Sequence, residues 1–191
     1  MWIIKVGGSL QDSAYLQPWL DAIVMHGAGR LVVVPGGGRF ADAVREAQRR
    51  FGFDDSEAHR RAVLAMEEYA AVLHERAPRL IPAHTAGEIR AVLKDGGVPL
   101  WLPYSMVSGN AALPAGWEVT SDSLALWLAQ ELGLAGLILV KSLAVDGERP
   151  LEDLAASGVI DGHFPQLFTK QPVRLAWYAA EDAARLPELL D

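Results

Sequence analysis

Cysteine is absent from this chain of 191 residues, which excludes disulfides, thiolate metal sites and cysteine nucleophiles. Positive charge is also scarce, because 17 lysine and arginine side chains face 24 aspartate and glutamate side chains and leave a formal net charge of −7. A nucleic-acid-binding protein has the opposite balance, so we expect no nucleic-acid partner. No apolar run reaches the roughly 20 residues of a membrane-spanning helix. The first residues also lack the apolar core of a secretory signal, so we expect a cytoplasmic protein without a membrane partner.

Apolar residues are plentiful, at 51% of the chain, and they are distributed in a regular way. Short apolar segments alternate with segments of helical periodicity, which predicts an α/β fold with helices on both faces of an open, mainly parallel sheet. The predicted strands are Trp2–Val6, Leu31–Val34, Leu80–Ala83, Val98–Leu102, Leu137–Val140 and Val173–Tyr178. The predicted helices are Tyr15–His26, Phe40–Phe51, Asp54–Glu75, Thr85–Lys94, Thr120–Leu132, Leu151–Ser157 and Glu181–Leu190.

Two glycine clusters follow predicted strands, KVGGS at residues 5–9 and PGGGR at residues 35–39. A lysine in a buried strand is costly unless its ammonium reaches a polar site, and neighbouring glycines let backbone N–H groups approach an anion. The helix predicted after the second cluster favours negative charge at its start, where Arg39 can clamp a phosphate or a carboxylate. The alternative interpretation is an edge-strand lysine with a tight turn for the first cluster, and an ordinary strand-to-helix turn for the second.

Known phosphate-binding motifs do not account for these glycines. The chain has no G-x-x-x-x-G-K-[ST] loop. In the dinucleotide fingerprint Ala41 would occupy the third glycine position, which a variant of that motif allows, but no acidic residue closes a second strand about 20 residues on. A nicotinamide-dependent dehydrogenase therefore stays an alternative with weak support.

An acidic residue, Asp122, lies at the start of the predicted helix Thr120–Leu132. Its spacing favours a helix cap. The second interpretation is that it pairs with Lys5 or with Lys141, because both lysines lie near carboxyl ends of predicted strands, where ligands of parallel sheets bind.

Taken in order, the segments KVGGSL, VVVPGGGRFADAVR, VTSDSLALWLA and LVKSLAVDG resemble the amino acid kinase family, from Ile3 to about Phe168. The resemblance implies an open three-layer αβα sandwich in a single domain, residues 1–191. It also implies ATP-dependent phosphoryl transfer to a small-molecule acceptor, with Mg²⁺ as second cofactor, in a homo-oligomer. Residues 1–115 would form the acceptor side and residues 116–191 the nucleotide side, with a boundary near the loop Ser105–Gly116.

Within the family, the short length and the stretch WEVTSDSLALWLA are most similar to a branch that acts in methanofuran biosynthesis. The acceptor expected from this similarity is [5-(aminomethyl)furan-3-yl]methyl phosphate, which would become the diphosphate. Nucleoside monophosphate, isopentenyl phosphate and acyl-amino-acid acceptors remain alternatives.

The resemblance also assigns roles to residues. Lys5 would stabilise the transferring phosphoryl group, and Asp122 would organise the lysines. The residues expected at the nucleotide and its phosphates are Gly7, Gly8, Ser9, Lys141, Ser142, Asp146 and Gly147. The residues expected at the acceptor are Gly36, Gly37, Gly38, Arg39, Thr120 and Ser121. No protein metal ligand is expected.

The chain departs from the family pattern at Gln166, where many relatives carry a lysine that contacts ATP phosphate. Either Lys141 or Lys170 supplies the charge, Mg²⁺ carries more of it, or the protein is a non-catalytic nucleotide or metabolite sensor. Asp161 is open between a magnesium ligand and a solvated loop acid. His163 is expected to be a structural or surface residue. No role is expected for the other four histidines, His26, His59, His74 and His84.

Several side chains could complete an acceptor site. Three aromatic residues near its expected position would pack either on a flat ring or in the core or a lid, namely Trp101, Tyr104 and Trp117. Four arginines could face the same cleft, namely Arg39, Arg45, Arg60 and Arg61. The apolar face of the helix Asp54–Glu75 is expected to form either a core face or a subunit interface.

Overall fold

Six parallel strands form the central sheet in the computed structural model, which describes residues 1–190. The strands are β1 Trp2–Val6, β2 Leu31–Pro35, β3 Leu80–Ala83, β4 Val98–Trp101, β5 Gly136–Lys141 and β6 Arg174–Ala179. The helices are α1 Leu16–His26, α2 Gly38–Phe51, α3 Asp55–Arg76, α4 Ala86–Lys94, α5 Tyr104–Val107, α6 Ser121–Leu132, α7 Leu151–Ala156, α8 Phe164–Lys170 and α9 Leu186–Leu190. Two 3-10 turns lie at Gly8–Leu10 and Ala180–Arg185.

The order of the strands places β1 at a switch in the topology. The sheet runs β3-β4-β2-β1-β5-β6, so the chain fills one side of β1 first and later crosses to the other side. At the carboxyl end of β1, Val6 lies opposite Pro35 of β2 and Val140 of β5. Ligands of open parallel sheets bind at such a point. The fold therefore brings the segments that follow β1, β2 and β5 to one edge.

Side chains alternate between the two faces of β1. Ile3 packs in one hydrophobic cluster with α4, α6, α7 and α8. Ile4 and Val6 pack in the other cluster, with α1, α9 and the second 3-10 turn. Because residues two apart share a face, Lys5 points to the side of Ile3. The expected three-layer αβα sandwich is confirmed, and every strand pairing is parallel.

The long helix α3 contributes to both hydrophobic clusters. Val63 and Met66 lie in the cluster of Ile3, while Tyr69 and Leu73 lie in the cluster of Ile4. These four side chains are at most 3% exposed. Of the two uses predicted for this apolar face, the structure shows the core.

The helix α8 was not predicted. Its Pro165 fits in the first turn of a helix, because the backbone N–H that proline lacks would have no intrahelical acceptor there. The prediction of a loop over Ser105–Gly116 was wrong at its start, because the helical turn α5 extends to Val107. Within residues 1–190, no helix is both long and apolar enough to cross a membrane.

Candidate active site

Two lysines and one aspartate form a buried cluster at the carboxyl ends of β1 and β5. Lys5 Nζ lies 3.1 Å from Asp122 Oδ1, and Lys141 Nζ donates to Asp122 Oδ2 at 2.8 Å. The second acceptor of Lys141 Nζ is the carbonyl of Val159 at 2.6 Å. Lys5 is therefore held against Asp122 by a close ion pair, and an ammonium group with three N–H donors has others to offer a ligand.

The environment keeps Asp122 ionised. Burial alone would raise the pKa of its carboxyl, but the neighbouring Lys5 and Lys141 ammonium groups outweigh burial and hold that pKa below its usual value. Burial also lowers the pKa of Lys141, and repulsion from Lys5 lowers it further against the attraction of Asp122. With both lysines protonated, the cluster holds two positive charges and one negative charge. The surplus suits an anionic ligand.

Asp122 is not the cap of α6, so the interpretation favoured by its spacing was wrong. Its side chain turns to the lysines, and the helix start is satisfied by Asp161 instead. Asp161 Oδ2 accepts from the backbone N–H of Thr120 at 2.9 Å and of Ser123 at 3.0 Å. The hydroxyls of these two residues also donate to the carboxylate of Asp161.

Asp161 also accepts a hydrogen bond from a residue close to it in sequence, through the backbone N–H of Phe164 at 3.2 Å. With five donors on its two oxygens, it is neither a solvated loop acid nor a side chain with lone pairs free for Mg²⁺. Both interpretations of Asp161 were therefore wrong. Its carboxylate acts as a helix clamp, which means that it holds the start of α6 in place. Because Val159, two residues earlier, accepts from Lys141, this segment touches α6 and the lysine cluster together.

The two glycine turns pack backbone against backbone. A Cβ on Gly8 would lie 2.2 Å from the nitrogen of Gly38, and a Cβ on Gly36 would lie 2.4 Å from the nitrogen of Gly8. Gly38 also has a positive φ of 52°, which disfavours other residues. The turns thus form one surface, hereafter the glycine cradle (Gly7–Ser9 and Gly36–Gly38), at the start of α2.

An open cleft of about 450 Å³ lies over the glycine cradle, between α2, α3 and the start of α6. Five of the residues expected at the acceptor line it, namely Gly37, Gly38, Arg39, Thr120 and Ser121. Gly36 is buried in the cradle beneath it. Gly8 and Ser9, which were expected at the nucleotide phosphates, line the same cleft. Residues expected at the acceptor and residues expected at the nucleotide phosphates therefore line the same cleft, on either turn of the glycine cradle.

The remaining residues expected at the nucleotide are buried in the cradle or belong to the loop after β5 and do not line the cleft. Gly7 is buried, and its carbonyl accepts from the Tyr69 hydroxyl at 3.5 Å. Ser142, Asp146 and Gly147 lie in the exposed loop that follows β5. Gly147 packs on the Trp177 ring, since a Cβ there would lie 2.6 Å from Trp177 Cδ1.

The structure also shows what surrounds the departure at Gln166. Gln166 is exposed on α8, and Lys170 is exposed one turn further on. Lys141, by contrast, is already bonded to Asp122 and Val159. His163 is buried, and its backbone N–H donates to the Glu118 carbonyl at 3.0 Å, which agrees with the structural role expected for it.

Of the three aromatic residues expected near the acceptor, only Trp117 lines the cleft within the described chain. Its indole N–H donates to Gln48 at 2.7 Å, and the Arg45 guanidinium lies 4.3 Å from its ring centroid. Trp101 is fully buried against Trp127, with ring centroids 6.1 Å apart, and cannot touch an acceptor. Tyr104 borders a second, smaller cavity of about 260 Å³.

The four candidate arginines separate into two pairs. Arg39 and Arg45 line the main cleft. Arg60 and Arg61 do not; each pairs with Glu57 at 2.7 Å. The expectation that all four face one cleft was therefore wrong for the second pair.

Several cleft residues had no predicted role, and the polar ones among them are Gln11, Asp12, Asp42 and His59. Gln11 Oε1 accepts from the backbone N–H of Arg39 at 3.1 Å and so ties the two glycine turns together. His59 lies in the wall formed by α3. Neither Gln11 nor His59 belongs to a sequence motif, because Arg39, the partner of Gln11, and Gly116, the partner of His59, are distant in sequence. No group of three or more potential metal-ligating side chains occurs within residues 1–190.

Comparison with known proteins gives consistent results. The model of the amino acid kinase family matches residues 1–147. A curated relative, [5-(aminomethyl)furan-3-yl]methyl phosphate kinase of Methanocaldococcus jannaschii, is 28% identical over 151 residues, which are 77% of this chain and 67% of the relative.

Two solved structures share the fold. Uridylate kinase from Archaeoglobus fulgidus superposes with a TM-score of 0.72 at 14% identity, over 99% of this chain and 94% of that chain. An isopentenyl phosphate kinase superposes with a TM-score of 0.58 at 19% identity, over 100% of this chain and 96% of that chain.

Proposed function

Because the chain belongs to the amino acid kinase family and is a phosphotransferase, we propose that it transfers the γ-phosphoryl group of ATP to the phosphate of a small phosphomonoester. The observation that carries this proposal is the buried Lys5–Asp122–Lys141 cluster beside the glycine cradle. Phosphoryl transfer needs positioning and charge neutralisation more than covalent chemistry. A cationic cluster next to the glycine cradle and the N-terminus of α2 supplies both.

In this proposal the bond from the γ-phosphorus to the ADP oxygen breaks while an acceptor oxygen bonds to the same phosphorus. Lys5 neutralises charge on the transferring group, because its ammonium is held in place by the ion pair with Asp122 beside the glycine cradle. Lys141 anchors Asp122 and adds positive charge. The glycine cradle and the N-terminus of α2 receive phosphoryl oxygens.

The ionisation of Asp122 supports an acceptor that arrives as an anion. A carboxylate whose pKa is held below its usual value is a poor general base. A phosphomonoester needs no such base, since its second pKa near 6 leaves a nucleophilic oxyanion at neutral pH. An alcohol would have to lose its proton, so we favour a phosphate acceptor.

The acceptor we propose is [5-(aminomethyl)furan-3-yl]methyl phosphate, which becomes the diphosphate. The curated relative carries this compound in its name. In the cleft, Arg39 and Arg45 offer charge to the phosphate, and Trp117 offers a face to a flat ring. Mg²⁺ would enter on the ATP phosphates, because residues 1–190 contain no cluster of side chains to hold it alone; it would neutralise charge on those phosphates.

The test is phosphorus NMR of the protein with ATP, Mg²⁺ and one acceptor at a time. The panel holds the furan phosphate, UMP, isopentenyl phosphate and acetylglutamate, and a reaction without acceptor measures ATP hydrolysis. We expect a diphosphate signal with the furan phosphate alone. Turnover of another acceptor would keep the kinase and contradict the substrate. Absence of turnover across the panel would contradict the proposal and favour the sensor interpretation.

A further inference from the structure

His59 occupies a wall between two cavities. It lines the main cleft and also the second cavity, and so does its neighbour on the same face of α3, Val63. Its side chain lies mostly inside, with the residue 9% exposed. The adjoining part of the cleft wall is apolar, formed by Val63 and Met66. A polar group in such a wall selects strongly among ligands, because an unpaired partner there is costly.

The contact at Nδ1 fixes which nitrogen is left for a ligand. Nδ1 lies 3.3 Å from the carbonyl oxygen of Gly116. A carbonyl can only accept, so Nδ1 carries the proton and Nε2 bears a lone pair in the neutral ring. Burial lowers the pKa of His59, against the Gly116 contact and the Glu118 carboxylate, which raise it. The ring is therefore a neutral acceptor near pH 7.

An acceptor nitrogen in this wall does not suit a phosphate dianion, which has no hydrogen to donate. The two cationic side chains of the cleft, Arg39 and Arg45, belong to α2 rather than α3, and both are partly engaged by carboxylates. Arg45 pairs with Asp42 at 3.0 Å and Arg39 with Asp12 at 3.8 Å. These two carboxylates also line the cleft, so its charge distribution tolerates a cationic group as well as an anionic one.

We propose that His59 accepts, through Nε2, a hydrogen bond from a protonated amine at the end of the acceptor remote from its phosphate. His59 is then a specificity-determining residue, and the substrate class is a zwitterion: phosphate at the glycine cradle, flat apolar middle, ammonium at α3. This inference rests on the proposed phosphomonoester kinase activity. It adds the group that distinguishes one phosphomonoester from another.

The first test compares kcat/KM for the aminomethyl furan phosphate and for the analogue with methyl in place of aminomethyl. The wild-type protein should prefer the amine by about tenfold or more, as expected for a hydrogen bond from a charged donor. In His59→Phe this preference should largely disappear. His74 is the matched control, because it lies on the same helix with Nδ1 2.9 Å from the Leu80 carbonyl and away from the cleft. His74→Phe should keep the wild-type preference.

A second test needs no substitution and so does not depend on the folding of a variant. In wild-type protein with ¹⁵N-labelled histidine, His59 should show the Nδ1–H form before ligand is added. The aminomethyl acceptor should shift the Nε2 resonance, and the methyl analogue should not.

Results that contradict the role of His59 differ from results that contradict the kinase proposal. An Nε2–H form of His59, equal shifts with both acceptors, or an unchanged preference in His59→Phe would overturn the role of His59 while the kinase proposal stands. If no phosphomonoester is turned over at all, the proposed function fails and this inference fails with it.

Discussion

At the scale of single residues, the chemistry depends on two like charges held near one carboxylate. Lys5 and Lys141 each lie within 3.1 Å of an Asp122 oxygen, and burial followed by repulsion from Lys5 lowers the pKa of Lys141. Removing one partner of a buried ion pair typically lowers the free energy of unfolding by about 3–5 kcal/mol. The cluster is thus both a store of positive charge and a sensitive point of the structure.

The lowered pKa of Lys141 predicts an alkaline limit on activity. The ordinary pKa of lysine is 10.5, so Lys141 loses its proton at a lower pH in the folded protein than in the unfolded chain. We therefore expect kcat to begin to fall below pH 10.5. Lys141→Arg should move this fall to higher pH at a reduced absolute rate, because guanidinium stays charged. The measurement is a pH–rate profile at saturating ATP and acceptor.

The contribution of Lys141 to the free energy of unfolding should rise over the same pH range in which kcat falls. Between the folded and the unfolded pKa of Lys141, the unfolded chain binds more protons, so this group adds stability as pH rises. Activity that falls while the urea midpoint falls in parallel would mean general unfolding, and would contradict the assignment to Lys141.

At the scale of elements, Asp161 positions helix α6 and, through it, Asp122. We predict that Asp161→Asn lowers kcat more than it raises KM and lowers the free energy of unfolding by about 1–3 kcal/mol, since buried donors at the helix start lose charge-assisted partners. Steady-state kinetics and urea unfolding measure these effects. Asp153→Asn, at an exposed carboxylate on α7, is the control and should change neither. A normal kcat in Asp161→Asn would refute the coupling.

The glycine cradle gives the second prediction at this scale. Gly8→Ala must push the two turns apart, because the new Cβ would meet backbone atoms of Gly38 at 2.2 Å and 2.4 Å. We expect loss of most activity and of stability, measured by the phosphorus NMR assay and by thermal unfolding. Gly87→Ala in α4 is the matched control. Its Cβ meets Thr85 Oγ1 at 3.9 Å, and removing a helical glycine should stabilise by about 0.5–1 kcal/mol. Wild-type activity in Gly8→Ala would contradict the cradle.

At the scale of the whole molecule, alternation of short apolar runs and helical periodicity was sufficient to predict the parallel sheet. It also placed the segments after β1, β2 and β5 at one edge, because parallel strands end together. Spacing could not reveal the clamp by Asp161, which lies 41 residues from Thr120. Nor could it show which of the polar residues at the start of α6 turns inward. His59 gave no signal, since a histidine on a helix looks the same whether it faces core or cleft.

The expected homo-oligomer stays a prediction, and it concerns the same scale. The apolar face of α3 is used in the core, so an interface formed by that face would require the protein to expose its interior.

The role of Lys5 in phosphoryl transfer is tested by kcat of Lys5→Met with ATP, Mg²⁺ and the furan phosphate, followed by phosphorus NMR. Methionine keeps much of the lysine stem and removes the charge, so far-UV circular dichroism and ATP binding should remain close to wild type. We expect kcat to fall by about 10²–10³-fold, as for removal of one donor that stabilises developing charge. A folded, ATP-binding Lys5→Met protein with wild-type kcat would show that Lys5 does not stabilise the transferring group.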